Sequence, residues 1–495
     1  MRVLNCLAPK FSVMAIAAVV VCCLQASTAW AQAAQAESPA LLPSLKTLVD
    51  QASSANKQQA FTFDRTVFSA DTRDLPIGVF DSGIGGLTVL EAILSLDQFN
   101  NDTLQPTPDG KSDFEGEKFI YFGDQANMPY GNYAAAGKED YLRELILKDA
   151  IFLLGKRFWS SGAVSPSSAG ASSVNAASAS THSKNSCQLK FDKPPVKAIV
   201  IACNTATAYG LEDIKAALKS WNIPVFVVGV VEAGARGVLE LRNQSDKNQA
   251  DTNQSSIAVL ATLGTCSSGA YPRMIQATLG RAGKKVPTIV QQGFVELAAA
   301  IEGDSTVAGQ GSIDDYLARD LRKMLDDYRK SGGTQPIGTI ILGCTHYPLV
   351  QSEILGTLSR LKNSDVDGSK PYQKLIADKI DLVNPAALTA KELFRELARN
   401  QLRATVKPSL GNETNSPKIS ASFFMSIPNA SYSGVKLNQE GNLEQQYKYS
   451  RSAGQLSVED TINVPMQDRL LPPSSLTLMK TRLPHVWNCF QASQR

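Results

Sequence analysis

The chain has 495 residues, enough for two or three domains with a sizeable core. Hydrophobic residues make up 43% and charged residues 19%, a globular balance rather than a disordered or fibrous one. A formal net charge of +3, with no Lys/Arg cluster and no basic-aromatic stripe, argues against a nucleic-acid partner.

In chain order, Arg2 and Lys10 precede the apolar run Phe11–Leu24 (FSVMAIAAVVVCCL), and Ala29-Trp30-Ala31 follows it. A positive start, a short apolar segment and an A-x-A site read as a signal peptide over residues 1–31. At 14 residues the run falls short of the roughly 20 that a membrane span needs, so no stable span is expected after cleavage. A periplasmic or secreted protein is expected, or a cytoplasmic one if the segment is not used. Cleavage removes Cys6, Cys22 and Cys23 and leaves Cys187, Cys203, Cys266, Cys344 and Cys489, too odd and sparse a set for a disulfide scaffold. There is no C-x-x-C, Cys344-Thr-His346 is too tight for zinc, and the histidines are His182, His346 and His485 alone; no metal is expected.

Gln32–Asp74 is polar, Ala/Ser/Gln-rich and unpatterned, and reads as a disordered leader. Alternating α/β structure then begins. Pro76–Phe80 reads as a strand, Leu87–Leu96 as a helix, Lys118–Phe122 as a strand and Lys138–Trp159 as a long helix. A Ser/Ala/Gly/Asn-rich insertion spans 160–190. Strand Lys197–Ala202, helix Ala206–Ser220, strand Val225–Val228 and helix Ala233–Leu241 follow, up to a second polar insertion at 242–256. A further run offers strand Ile257–Thr262, a helix after Ser267, strand Val286–Val290, and helices near Phe294–Ile301 and Ile313–Lys330. Strand Ile337–Leu342, a helix after Pro348, strand Ile380–Val383 and helix Ala386–Arg399 complete it, with Ile419–Ile427 as a candidate edge strand. This alternation predicts an α/β fold of two similar three-layer lobes with mainly parallel sheets. Lobe 1 takes 75–229 and 380–428 and lobe 2 takes 230–379, while 429–495 is an extension to which the sequence assigns no role.

Open parallel sheets bind ligands at the carboxyl ends of their strands. The richest stretches lie there: GVFDSGIGGLTVL with Asp81 and Ser82, YFGDQANMPYG with Tyr130 and Gly131, ACNTATAYG with Cys203, Asn204 and Thr205, and GCTHYP with Cys344, Thr345 and His346. A single cysteine in such a place is commonly buried and inert. Two in matched contexts suggest two sulfurs sharing one task. The glycines of the first stretch would let backbone N–H groups approach an anion. A dinucleotide fingerprint fits poorly, because Thr88 stands where its third glycine belongs. Asp81 could instead cap a helix, and His346 could be a satisfied core histidine.

The ordered motifs F-D-S-G-I-G-G-L-T, P-Y-G, A-C-N-T-A, G-T-x-x-S-G-x-Y and G-C-T-H-Y-P resemble those of the glutamate racemases in the cofactor-independent aspartate/glutamate racemase family. The resemblance runs from about Pro76 to Ile427. It implies pseudo-twofold lobes with the site between them, and Cys203 and Cys344 as the two acid/base residues. It also implies that Asp81, Ser82, Tyr130, Gly131, Asn204, Thr205, Thr345 and His346 line the substrate, glutamate, with Asp81 and His346 assisting proton movement. No cofactor is implied, and a homodimer stays open. In the family a glutamate stands near the second cysteine; here Glu296 and Glu302 compete for that place. The signal peptide departs from the family pattern, whose members supply D-glutamate to cell-wall synthesis in the cytoplasm. Aspartate or another amino acid is the alternative substrate, although His346 favours glutamate. An exported, non-catalytic amino-acid-binding protein is the alternative from another class, but it gives the paired thiols no task.

Overall fold

The computed structural model describes residues 41–54, 59–160, 188–247, 255–303, 311–365, 368–404 and 419–494. The chain divides into two units, Met1–Leu41 and Leu42–Arg495. The signal-peptide segment, and the first part of the leader, lie outside the described residues. No helix among the described residues is long and apolar enough to cross a membrane.

Twelve strands are described: β1 (Ile77–Asp81), β2 (Lys118–Gly123), β3 (Phe158–Trp159), β4 (Leu189–Lys190), β5 (Ala198–Ile201), β6 (Phe226–Gly229), β7 (Ser256–Thr262), β8 (Ile289–Phe294), β9 (Ile337–Gly343), β10 (Ile376–Val383), β11 (Ser420–Pro428) and β12 (Thr461–Pro465). They form a six-stranded sheet, β12-β11-β2-β1-β5-β6, a four-stranded sheet, β10-β9-β7-β8, and the small pair β3-β4. β1 and β9 are buried at every residue, as strands covered on both faces must be, and their sequences are accordingly apolar runs rather than alternations. Each lobe has its own core. Ile77, Val79, Leu87 and Phe119 lie in the first, and Leu260, Leu321, Ile340 and Leu342 in the second.

The two sheets share one topology. Four of the parallel strands of lobe 1 run in the order β2-β1-β5-β6, with β11 added in parallel beside β2, and lobe 2 sets its four as β8-β7-β9-β10. In both, the first strand lies between the second and the third.

Four boundaries differ from the sequence reading. The leader contains a helix, Pro43–Ala52, that buries Leu45, Leu48, Val49 and Ala52, a helical stripe diluted by polar neighbours. It is held by the Trp221 indole N–H, which donates to the Val49 carbonyl at 2.8 Å. Strand Ile380–Val383 lies within β10, which pairs with β9 in lobe 2 rather than returning to lobe 1. β11 is not an edge strand, for it lies between β2 and β12. The 242–256 insertion begins inside helix Val230–Lys247 and ends at β7; residues 248–254 lie outside the described ones, as do 161–187 of the first insertion.

Candidate active site

In each lobe the third strand lies against the first, the place where successive crossovers leave in opposite directions and open a crevice. Cys203 follows β5 and Cys344 follows β9, the third strand of each lobe. Both line one cleft, together with Ser82, Met128, Pro129, Tyr130, Gly131, Asn204, Thr205, Thr262, Ala298, Thr345 and His346. The cleft encloses about 20 Å³, room for roughly one water, so the lobes are closed on the site.

On the lobe 1 side, Cys203 is the N-cap of helix Asn204–Trp221 and its Sγ accepts from the Ala206 N–H at 3.4 Å. Its thiol is 3.8 Å from Ser82 Oγ. Burial pushes this thiol well up, and the charge of Asp81 adds to the rise. Asp81 does not line the cleft. It lies behind it, fully buried, with Oδ2 accepting from the Gly86 N–H at 2.8 Å and facing Thr345 Oγ1 at 3.5 Å. Burial raises its pKa, against the opposing charge of His346. A carboxyl there can hold or pass a proton.

The lobe 2 side differs. Cys344 does not begin an α-helix. A turn and the 3-10 helix Tyr347–Val350 follow it before helix Gln351–Asn363. What it has instead is His346, with Nδ1 3.5 Å from Cys344 Sγ and Nε2 2.7 Å from Glu302 Oε1. Burial by itself would lower the imidazole pKa, but the hydrogen bonds to Cys344 and Glu302 outweigh it and hold it well above the usual histidine value. Glu302 is thus the partner that the sequence left unresolved. Glu296 pairs with Arg319 at 2.8 Å instead.

Hydrogen bonds between the lobes ring the cleft. The Tyr271 hydroxyl donates to Asn204 Oδ1 at 2.6 Å, and Thr205 Oγ1 meets Thr262 and Thr265 Oγ1 at 3.0 and 2.9 Å. The Thr88 hydroxyl donates to the Thr345 carbonyl at 3.0 Å. At ~0.5–1.5 kcal/mol each, these four bonds together contribute a few kcal/mol to the closed state. The glycine loop serves this closure. A Cβ on Gly85 would lie 2.3 Å from His346 Cε1, so glycine lets the lobe 1 loop press on the lobe 2 histidine. Gly131 and Gly264 likewise meet backbone to backbone.

Tyr130 lines the cleft, but its hydroxyl lies 2.5 Å from Asp124 Oδ2 and 2.6 Å from Asp149 Oδ2. One phenol proton cannot serve both carboxyls. Burial, reinforced by the nearby Asp124 charge, pushes Asp149 well above the carboxylate range, so Asp149 carries the second proton. Tyr130 therefore offers the cleft its ring. Asn204 has its carbonyl taken by Tyr271, which leaves its NH₂ as the donor for a ligand.

The cleft gathers both paired cysteines and every substrate-lining residue singled out in the sequence except Asp81. It adds Thr262 and Ala298, which carry no sequence signal of their own, Met128, which adjoins the P-Y-G motif, and Pro129, the first residue of that motif. Cys266 and Cys489 are free thiols that do not line the cleft, and burial pushes Cys266 up to about 12.

The Asp/Glu/Hydantoin racemase family matches residues 158–366, a span that includes both cleft cysteines. The glutamate racemase of Limosilactobacillus fermentum is 30% identical over 281 residues, 56% of this chain and 71% of that protein. The chain belongs to the Asp/Glu racemase family. The glutamate racemase of Pediococcus pentosaceus, also similar, is 28% identical over 355 residues, 70% of this chain and 94% of that one. Among solved structures, the glutamate racemase of Francisella tularensis subsp. tularensis SCHU S4 in complex with D-glutamate aligns at a TM-score of 0.41 and 23% identity, covering 71% of this chain and 88% of that one. Racemase-family similarity thus extends well beyond the matched segment, over about 70% of the chain.

Proposed function

We propose that the chain is a glutamate racemase, an isomerase that interconverts L- and D-glutamate by proton transfer at Cα between Cys203 and Cys344. One observation carries the reading: the two thiols follow equivalent strands of two sheets with the same strand order and line one cleft.

Racemisation takes the α-proton from one face and returns a proton to the other, so two acid/base groups must flank Cα. A thiolate on one face takes the proton, its electron pair passes into the carboxylate as Cα flattens, and the thiol opposite delivers its own proton. The roles reverse for the other hand. Asp81 supports the Cys203 side. His346, held by Glu302, supports the Cys344 side. Ser82, Asn204, Thr205 and Thr345 supply donors for the substrate carboxylates, and exclusion of water strengthens every one of these contacts.

D-Glutamate formed in this way suits peptidoglycan synthesis. Export read from residues 1–31 belongs to the same proposal; N-terminal sequencing of protein from the cell envelope tests it, and an intact Met1 in cytoplasmic protein sinks it. The activity itself is tested by chiral chromatography after incubation with L-glutamate and, separately, L-aspartate. Glutamate converted in preference is the expected result. Aspartate converted in preference shifts the substrate, and no conversion of either overturns the reading.

A further inference from the structure

The segment after β11, to which the sequence assigned no role, touches both lobes. β12 pairs with β11, and Met479, Val486 and Phe490 are buried in the core of lobe 1. Leu478, next to Met479 on helix Pro473–Arg482, packs against the cores of both lobes. At the start of that helix the hydroxyls of Ser474 and Ser475 donate to the main-chain carbonyl of Glu302 in lobe 2, at 3.0 and 3.3 Å. Gly303, next in the chain at φ +77°, has no room for a side chain, because a Cβ would lie 2.5 Å from Ser474 Oγ. The same segment grips the other wall of the cleft. Lys448 donates to the Met128 carbonyl at 2.6 Å, and Arg451 donates to Asn127 Oδ1 at 2.5 Å and to the Tyr133 hydroxyl at 2.9 Å.

Glu302 closes helix Leu297–Glu302, only six residues long, and the last carbonyls of a helix have no partner within it. Ser474 and Ser475 supply two donors to one such carbonyl. Its side chain meanwhile receives His346 at 2.7 Å and Gln125 of lobe 1 at 3.1 Å. Backbone and carboxylate of one residue are thus fixed together.

We propose that residues 429–494 act as a strap that holds the lobes closed, with Ser474 and Ser475 as positioning residues that seat Glu302 behind His346 for the Cys344 half of the reaction. The catalytic half of this proposal rests on the racemase reading. The strap half does not.

The test uses the full chain with Ser474→Ala and Ser475→Ala combined, and Ser474→Ala alone in case the double variant is unstable. Elimination of halide from a β-halogenated amino acid needs deprotonation on one face only, so each hand reports one cysteine; Cys344→Ala in the same assay identifies the hand that Cys344 serves. The expected result is a roughly tenfold slower elimination on that hand, the loss that weakening by one or two hydrogen bonds brings, with the other hand within about twofold. In the ligand-free protein, iodoacetamide should label Cys344 roughly tenfold faster, read by peptide mapping. Equal losses on both hands, or labelling of Cys344 at the wild-type rate, overturn the proposal. If the unmutated protein acts on neither hand, the racemase reading fails, and the labelling rate alone decides whether the strap closes the lobes.

Discussion

Glu302 holds Nε2 of His346 at 2.7 Å, on the opposite side of the ring from Cys344. Burial disfavours a charged imidazole there, yet the hydrogen bonds on both sides keep His346 protonated well beyond the usual range. The other thiol has no such partner. Cys203 stands beside Ser82 and Asp81, where burial and then negative charge keep its proton on. The two halves of the cleft are therefore electrostatically unequal.

Cys203→Ala and Cys344→Ala are each expected to lower racemisation at least about 10²–10⁴-fold, the usual worth of a positioned acid or base. Each variant should keep the far-UV circular dichroism of the parent and still eliminate halide from a β-halogenated amino acid of one hand. Near-normal turnover in both directions by either variant would remove the two-thiol mechanism.

Asp81→Asn and His346→Asn should lower kcat by about 10²-fold with a smaller change in KM, since both residues act on proton transfer rather than on binding. Steady-state kinetics in both directions read this. A change confined to KM would make them binding groups.

The raised pKa of Cys203 has a definite sign. A free thiol titrates near 8.5, and a group pushed above that value stays protonated at neutral pH and yields thiolate only as pH rises through the higher value. Labelling of Cys203 by iodoacetamide should therefore keep increasing beyond pH ~8.5. Asp81→Asn removes the second cause of the rise and should move the curve to lower pH. A Cys203 curve that levels off below pH ~8 contradicts the assignment.

Much of this site was legible because its chemistry sits in contiguous motifs. Cys203-Asn204-Thr205 and Cys344-Thr345-His346 each pack a nucleophilic atom and its neighbours into three residues, and the strands before them are apolar runs that can only be central. Glu302 was not legible. It reaches His346 across 44 positions from the end of a six-residue helix, and nothing local separates it from Glu296. The glycine loop was read as an anion cradle, whereas Gly85 is needed because a ring from the other lobe lies on it. β10 was misplaced because a strand's sequence does not say which sheet it joins. The strap escaped notice for a further reason: its anchors, Ser474, Ser475, Lys448 and Arg451, are polar residues scattered through weakly patterned sequence, and only their partners give them meaning.

Arg451 offers a stability check on that segment. It is buried, pairs with Asp460 at 3.0 Å and reaches Asn127 and Tyr133. Arg451→Ala leaves Asp460 buried without its cation, which in such pairs costs about 3–5 kcal/mol. Urea unfolding of the variant should show a loss of that order. A loss below about 1 kcal/mol would mean that the contact belongs to the surface class and braces nothing.

The central claim is that two thiols exchange a proton at the substrate's Cα. Incubating the purified protein with L-glutamate in deuterated water, and following Cα–H by proton NMR alongside chiral analysis, tests it most directly. The account predicts loss of the Cα–H signal together with the appearance of Cα-deuterated D-glutamate, and loss of both in the double variant Cys203→Ala/Cys344→Ala. Glutamate that binds, seen as line broadening, but keeps its Cα–H and its hand would contradict it and make the protein a binding clamp.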